Sequence, residues 1–338
     1  WTNGARIRVD EINAAGGING RKLNLFVEDA KYQVPLTIRS ANSLLNKEKV
    51  FATVGLVGTA QTHAARPMIE KKGRLNLFPL TGAATMYEPF HAQRFSYFLS
   101  YAKQARGALM HFAKQGIKKV CLQTLATDYG QEIDGAFQET AKELGLTVTG
   151  VGFHKTTETE FSGTATKIKN SDCEALVMGT TVKDTIVLYT TLRKLGWDKP
   201  IVANMVAYMP LVAAAAGGAM EGMYLVAPIY LPELSDVTNE TAKTFLAKYK
   251  EQHGKDAAVQ AIIGYNSIEM FARAVEKAGD DITTDSVVKA LETLGTYKDP
   301  FGGASLTFSA EKHHGSDSLL LYQVKDSKFV PVVKGLPY

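Results

Sequence analysis

The sequence predicts an α/β protein made of two doubly wound parallel-sheet lobes. Three observations carry that expectation. Strand-like apolar runs alternate with amphipathic helical stretches, the alternation starts afresh near residue 118, and 338 residues exceed one ordinary core but suit two domains of roughly 100 to 200 residues each. Strand, crossover helix and parallel strand in repetition build an open parallel sheet covered on both faces. Two successive rounds build two such sheets.

The elements justify this in order. The opening, WTNGARIRVDEINAAGG, is already helical in rhythm, with Ala5, Ile7, Val9 and Ile12 on one apolar face. A strand is therefore expected upstream of residue 1, and the silence of the chain about a targeting segment carries no weight. LNLFVEDA (23–30) reads as a strand and 35–46 as a helix; VFATVGL is a strand leading to a helix after Thr62. RLNLFPL (74–80) and RFSYFLS are further strands, and 103–115 is a helix. The second round runs KKVCLQTL, helix 130–144, TVTGVGF, helix 162–170, EALVMGT, a helix through Leu195 and PIVANM. An Ala-rich helix in MVAYMPLVAAAAGGAM and the strand MYLVAPIY complete it. That Ala-rich stretch contains Pro210 and is shorter than the ~20 residues a bilayer span needs. The final third holds helices at 241–253, 259–278 and after Thr284, then a hairpin of SLLLYQV and KFVPVV turning at 325–327. The late helices are expected to return to the first lobe, which gives lobe 1 as 1–102 plus 231–304 and lobe 2 as 103–230 plus 305–338.

Composition narrows the function classes. Apolar residues make up 45% and charged residues 21%, the profile of an ordinary globular protein. A net charge of +4 with no long Lys/Arg block argues against a nucleic-acid partner. Cys121 and Cys173 are the only cysteines, too few for a disulfide framework or a zinc site. Cys121 in KKVCLQT reads as a small apolar core residue; a bridge to Cys173 is open geometrically if their strands are neighbours, and the expectation is against it. His313 and His314 are adjacent, a poor metal-ligand pair, and are expected to be solvated. The sequence lacks G-x-S-x-G, H-E-x-x-H, P-loop and G-x-G-x-x-G patterns. No carboxylate pair stands out for acid and base work. A non-enzyme without metal or organic cofactor is expected, a dehydrogenase being the enzyme alternative on fold pattern alone.

Ligands of open α/β sheets bind beyond the carboxyl ends of the strands, here 58–61, 80–83, 124–129, 179–183 and 204–208. With two sheets, the expected site is the cleft between lobes. VGLVGTAQT (54–62) is the most telling segment: small residues at a strand end, just before a helix, leave main-chain N–H groups open to an anion. A self-capped helix start is the plainer reading.

NGARIRVDEINAAGGINGRKL, VGLVGTAQT, ATDYGQE, EFSGTATKIKNSDCEALVMG and GAMEGMYLVAPI resemble, in order and spacing, the Leu/Ile/Val-binding type of periplasmic solute-binding protein. The resemblance runs over essentially the whole chain. It implies the type I periplasmic binding protein fold: two lobes joined by a multi-strand hinge close on a small solute and deliver it to an ABC-transporter membrane permease. The lobes are expected to rock about interlobe strands near 100–104 and 228–232 and a third crossing around 302–308. It also implies a monomer, located in the periplasm, or lipid-anchored and extracellular in a Gram-positive source. By register, Gly58, Thr59, Ala60 and Gln61 fall where the family's first-lobe loop binds a ligand carboxylate, and Leu80, Thr81 and Gly82 at the neighbouring strand end. Tyr129 matches a second-lobe tyrosine over the ligand, Thr180 and Thr181 lie where the family often has another aromatic, and Tyr265 matches an aromatic on the returning helix.

Two departures matter. Met205 stands where amino-acid receptors of this family place the acidic residue that binds the ligand's ammonium. A thioether cannot neutralise that charge, and burying it unpaired costs several kcal/mol. Tyr101, Met205 and Tyr208 would instead give an apolar and aromatic wall. The expected ligand is therefore an aromatic or otherwise hydrophobic carboxylic acid, a branched-chain or other amino acid or amide being the alternative. The prototype's cysteine pair is replaced by Lys31 and Gly58. A ligand-sensing regulator is the other non-enzyme reading; no DNA-binding helix pair is visible, an absence that the expected upstream strand deprives of weight, and the family register favours transport.

Overall fold

The computed structural model describes residues 1–230 and 237–338; Leu231 and Pro232 of the expected 228–232 crossing lie outside the described residues. The chain divides into two compact units, Trp1–Phe98 with Tyr230–Asp317, and Leu99–Ile229 with Ser318–Tyr338. The first unit opens with α1 (Thr2–Ala14), α2 (Val34–Asn42), β1 (Ala52–Val54), α3 (Thr59–Lys71), β2 (Leu75–Leu77) and β3 (Arg94–Phe95). The second runs α4 (Tyr101–Lys114), β4 (Lys119–Leu125), α5 (Asp128–Glu143), β5 (Thr147–His154), α6 (Ser162–Asn170), β6 (Ala175–Gly179) and α7 (Val182–Lys194). It continues through β7 (Ile201–Asn204), the short α8 (Pro210–Ala213) and β8 (Tyr224–Ala227). The chain then supplies α9 (Glu240–His253), α10 (Val259–Ala278) and α11 (Thr284–Glu292) to the first unit and closes the second with β9 (Leu320–Lys325) and β10 (Lys328–Lys334).

In the first unit β1, β2 and β3 form a parallel three-stranded sheet. The apolar face of α1 is buried through Ala5, Ile7, Val9 and Ile12, as its rhythm requires. Close approach of α1 to α10 depends on glycine: a Cβ on Gly4 would sit 1.9 Å from the Ala261 carbonyl oxygen, and one on Gly264 2.3 Å from that of Trp1. Ile7, Phe245, Tyr249, Ile262 and Phe301 share one buried cluster there. Segment 23–30, expected as a strand, forms no ladder among the described residues, and Phe26 and Val27 are each 44% exposed. A strand exists only through its partners, and this one has none among them.

The second unit holds a seven-stranded sheet in the order β10-β9-β8-β7-β6-β4-β5, parallel from β4 to β8. β6 and β7 are buried at every residue, which is why they read as unbroken apolar runs. β9 and β10 join antiparallel through Asp326 and Ser327, both at positive φ, a turn whose twist matches the strands it connects.

Several expectations are corrected. The Ala-rich helix breaks after Ala213, because Ala216, Gly217 and Gly218 take positive φ. Residues 100–104 are no interlobe strand: Ser100 caps α4, accepting from the Lys103 N–H, and the helix begins at Tyr101. Residues 305–317 lie in the first unit, held by the Tyr297 and Leu306 main-chain pair and by the Ser96 N–H donating to the His313 carbonyl. Cys121 and Cys173 are bridged, since Cys121 in β4 pairs with Leu176 in β6 and brings Cys173, two residues before β6, within reach. His313 is not solvated. It is 2% exposed, stacks on Phe95 at 3.9 Å, and meets the Arg94 carbonyl and Glu292.

Candidate functional site

The first-unit candidates gather where β1 and β2 end. Gly58 is the N-cap of α3 with φ 96°, and no side chain caps this helix. Its positive φ favours glycine, and a Cβ there would lie 2.2 Å from Gln61 Oε1 and 2.7 Å from a Tyr32 ring carbon, so both side chains would have to shift. Thr62 Oγ1 donates to the Gly58 carbonyl, and Thr62 N–H does the same, closing the first turn. The N–H groups of Thr59, Ala60 and Gln61 precede that bond and have no carbonyl four residues back. The self-capped start is thus not what forms. Val57 bridges Leu80 in parallel, so the two strand ends run side by side, and Thr59 Oγ1 lies 2.7 Å from Thr81 Oγ1. Thr81 Oγ1 also accepts from the Ala83 N–H. Thr59, Thr81 and Gly82 are buried, Ala60 and Leu80 half-buried. Gln61 is fixed by donating from Nε2 to the Tyr32 carbonyl.

Tyr265 stands apart from this group. Its hydroxyl donates to Glu11 at 2.9 Å, Phe245 and Phe301 meet its ring edge to face, and the Arg8 guanidinium lies 5.4 Å above it. Burial, together with the neighbouring Glu11, raises its pKa, so the hydroxyl remains a donor. It lines a pocket of about 620 Å³ within the first unit, in whose wall Arg8 and Arg273 each lie 2.6 Å from Glu269.

In the second unit Tyr101 and Tyr129 meet edge to face at 4.7 Å, and Tyr129 OH is held by the Asn204 amide, whose Nδ2 donates to it at 2.8 Å. Asn204 ends β7 and also accepts from the Val206 N–H, while the Met205 N–H donates to Gln104 Oε1. Tyr208 packs on Tyr322 at 4.7 Å and Phe329 at 5.3 Å. Thr180 and Thr181 follow β6 and are governed by Asp184. That carboxylate accepts from Thr181 Oγ1 at 2.6 Å and from the Thr181 N–H, and lies 3.2 Å from His154 Nε2. Burial opposes its ionisation, yet hydrogen bonds from His154 and Thr181 outweigh burial and hold its pKa below the ordinary value. An ionised carboxylate only accepts, so His154 Nε2 carries a proton, and Nδ1 faces the Gln123 amide at 3.0 Å.

Sequence reasoning missed Asn204, Gln104, Asp184 and His154. Asn204 was legible as the penultimate residue of PIVANM, and Asp184 as the acidic third position of a helix starting after Thr181. Gln104 and His154 carry no local signal, because each matters only through a partner distant in sequence. Among the described residues no group of acids, histidines or cysteines suits a metal, and no helix is long and apolar enough to cross a membrane.

Residues 1–328 match the family model described as periplasmic binding protein. A leucine-, isoleucine-, valine-, threonine- and alanine-binding protein of Pseudomonas aeruginosa is 22% identical over 300 residues, covering 88% of this chain and 78% of its own length. An ABC-transporter solute-binding protein from R. palustris, solved in complex with benzoate, superposes with a TM-score of 0.86 at 18% identity over 99% of this chain and 91% of that one. A fatty acid ABC transporter substrate-binding protein from Thermomonospora curvata gives 0.87 at 18% over 100% and 87%. At such identities the structural likeness is one of fold. The parallel-sheet units, the glycine-led strand end and a match that spans nearly the whole chain agree: the chain belongs to the periplasmic binding protein family, the extracytoplasmic solute receptors of ABC transporters.

Proposed function

We propose that this protein captures a small aromatic or otherwise hydrophobic carboxylic acid in the periplasm and hands it to an ABC permease, as a monomer, without turnover and without a cofactor. The observation that carries this reading is the head of α3. There a side-chain-free N-cap leaves the N–H groups of Thr59, Ala60 and Gln61 without intrahelical partners, next to the Thr59 and Thr81 hydroxyl pair. A carboxylate satisfies those donors and gains from the helix dipole, by roughly 0.3–1 kcal/mol at an exposed end and more when partly buried.

The body of the solute, on this reading, is met by Tyr129, Thr180, Thr181, Met205 and Tyr101 of the second unit as the receptor closes. Closure is favoured only by contacts that differ between open and closed states. An amine-free acid is preferred because β7 ends in Asn204 and Met205, which offer no carboxylate, and both hydrogen-bonding sides of the Asn204 amide are engaged by Tyr129 and Val206. The benzoate carried by the R. palustris neighbour is an acid of this kind. An amino-acid receptor is the second reading, favoured by the name of the Pseudomonas aeruginosa relative.

A thermal-shift screen of aromatic acids, aliphatic acids, branched-chain amino acids and amides, followed by calorimetry, tests the choice. Stabilisation by an amine-free acid is expected. A response to leucine with none to any amine-free acid would transfer the assignment to the second reading.

A further inference from the structure

The rim at the head of α3 has an apolar flank inside its own unit. Gly58 carries no side chain, and the ring of Tyr32 uses the space: one of its carbons would lie 2.7 Å from a Cβ at position 58. Tyr32 and Val57, the residue before Gly58, are large side chains left 54% and 52% exposed. The Thr59 N–H belongs to the peptide that leaves Gly58, so the ring stands beside the first of the rim's donors. The inner side of the rim is polar and incompletely satisfied. Thr59 and Thr81 are 4% and 1% exposed, and one of their two hydroxyl protons has no acceptor among the described residues.

Tyr32 is held in place by its main chain. Its backbone is left-handed at φ 57°, after Lys31 at 49°, and its carbonyl accepts from Gln61 Nε2 at 2.9 Å. The Lys31 N–H donates to Asp29 Oδ1 and the Gln33 N–H to the Ala30 carbonyl, which fix the turn on both sides of the ring. Asn or Gly would take this backbone with less strain, and an aliphatic side chain would cover Gly58. What tyrosine adds is a flat π face, uncharged at neutral pH and so no threat to a neighbouring anion.

We infer that Tyr32 determines specificity at the carboxylate rim: its ring packs against an aromatic group attached directly to the carboxylate, selecting aryl carboxylates over saturated acids of the same size. The inference rests on the carboxylate reading above and names the ligand class within it. Every group it uses belongs to the first unit. Gln61 ties the Tyr32 main chain to the first turn of α3, so the ring and the N–H donors keep one spacing.

The experiment compares benzoate with cyclohexanecarboxylate, an acid of similar size without a π face. Thermal shift and calorimetry are run on the wild type, Tyr32→Phe, Tyr32→Leu and Tyr32→Asn. The wild type is expected to prefer benzoate about fivefold, an increment of the size that aromatic pairing supplies. Tyr32→Phe keeps the preference. Tyr32→Leu and Tyr32→Asn each bring the two acids within about twofold of one another, mainly by weakening benzoate. Leucine keeps the bulk and asparagine suits the left-handed backbone, so the result does not hang on one variant folding. No preference in the wild type, a preference that survives in either the Leu or the Asn variant, or equal weakening of both acids in them overturns the inference and leaves the carboxylate reading standing. Binding of neither acid to the wild type removes the carboxylate reading, and this inference with it.

Discussion

Thr59 Oγ1, at the head of α3, lies 2.7 Å from Thr81 Oγ1, a hydroxyl pair that reinforces the main-chain bridge between Val57 and Leu80 at the same two strand ends. The pair does two things at once. It holds the two side chains of the rim together, and one of its two hydroxyl protons has no acceptor among the described residues.

Thr81→Val removes the inner member of the pair while keeping the shape. Thr59 loses its partner, and the Ala83 N–H loses its acceptor. The expected outcome is about a tenfold loss of carboxylate affinity with about 1–2 kcal/mol of destabilisation. Calorimetry and urea unfolding check the two effects separately.

Gly58→Ala tests the backbone of the same rim. Its φ of 96° strains any residue with a Cβ, and a methyl group would displace the Gln61 side chain, whose Oε1 lies 2.2 Å away. A cost of about 1–3 kcal/mol is expected, with loss of binding as the helix head shifts. An unchanged melting temperature would contradict the described turn.

Met205→Glu introduces an acid at the end of β7, beside Asn204. It should weaken an amine-free acid by adding like charge and improve binding of leucine. Unchanged calorimetric affinities for both would remove Met205 from the site.

The Cys121 and Cys173 bridge closes a loop of 52 residues within the second unit. Loop-closure entropy at that length corresponds to about 4 kcal/mol. The double variant Cys121→Ser, Cys173→Ser should unfold at correspondingly lower denaturant, and adding a reductant to it should change nothing further.

Asp184 makes the second unit sensitive to acid. Burial opposes its ionisation, but hydrogen bonds from His154 and Thr181 hold its pKa below the ordinary aspartate value, so its contribution is fully present above the unfolded pKa of about 4 and is lost as pH falls through the depressed folded value. Asp184→Asn should flatten the acid limb of the stability curve below pH 4 relative to the wild type. An identical acid limb in both proteins would contradict the hydrogen-bond assignment.

Much of the architecture was legible because its signals are local. The buried parallel strands β6 and β7 announce themselves as unbroken apolar runs, α10 was bounded by periodicity at the residues the structure shows, and the hairpin turn lay where expected. What failed depended on partners or on backbone detail. Segment 23–30 has strand composition but no paired neighbour among the described residues, and the Ala-rich stretch has helix propensity that three positive-φ residues override. His313 looked solvated because nothing in its neighbourhood of sequence foretells Phe95 and Glu292. The bridge from Cys121 to Cys173 required knowing that β4 and β6 are adjacent. At the site, glycine and threonine at the strand end were readable from VGLVGTAQT; the proton commitments set by Asp184 and His154 were not, since they arise from a contact across 30 residues.

The most direct test is a crystal structure of the protein with the acid that raises its melting temperature most. The account predicts carboxylate oxygens within hydrogen-bond distance of the main-chain N–H groups at residues 59–61 and of the Thr59 or Thr81 hydroxyl. A carboxylate bound away from that rim, or a rim occupied by the protein's own side chains, would contradict it.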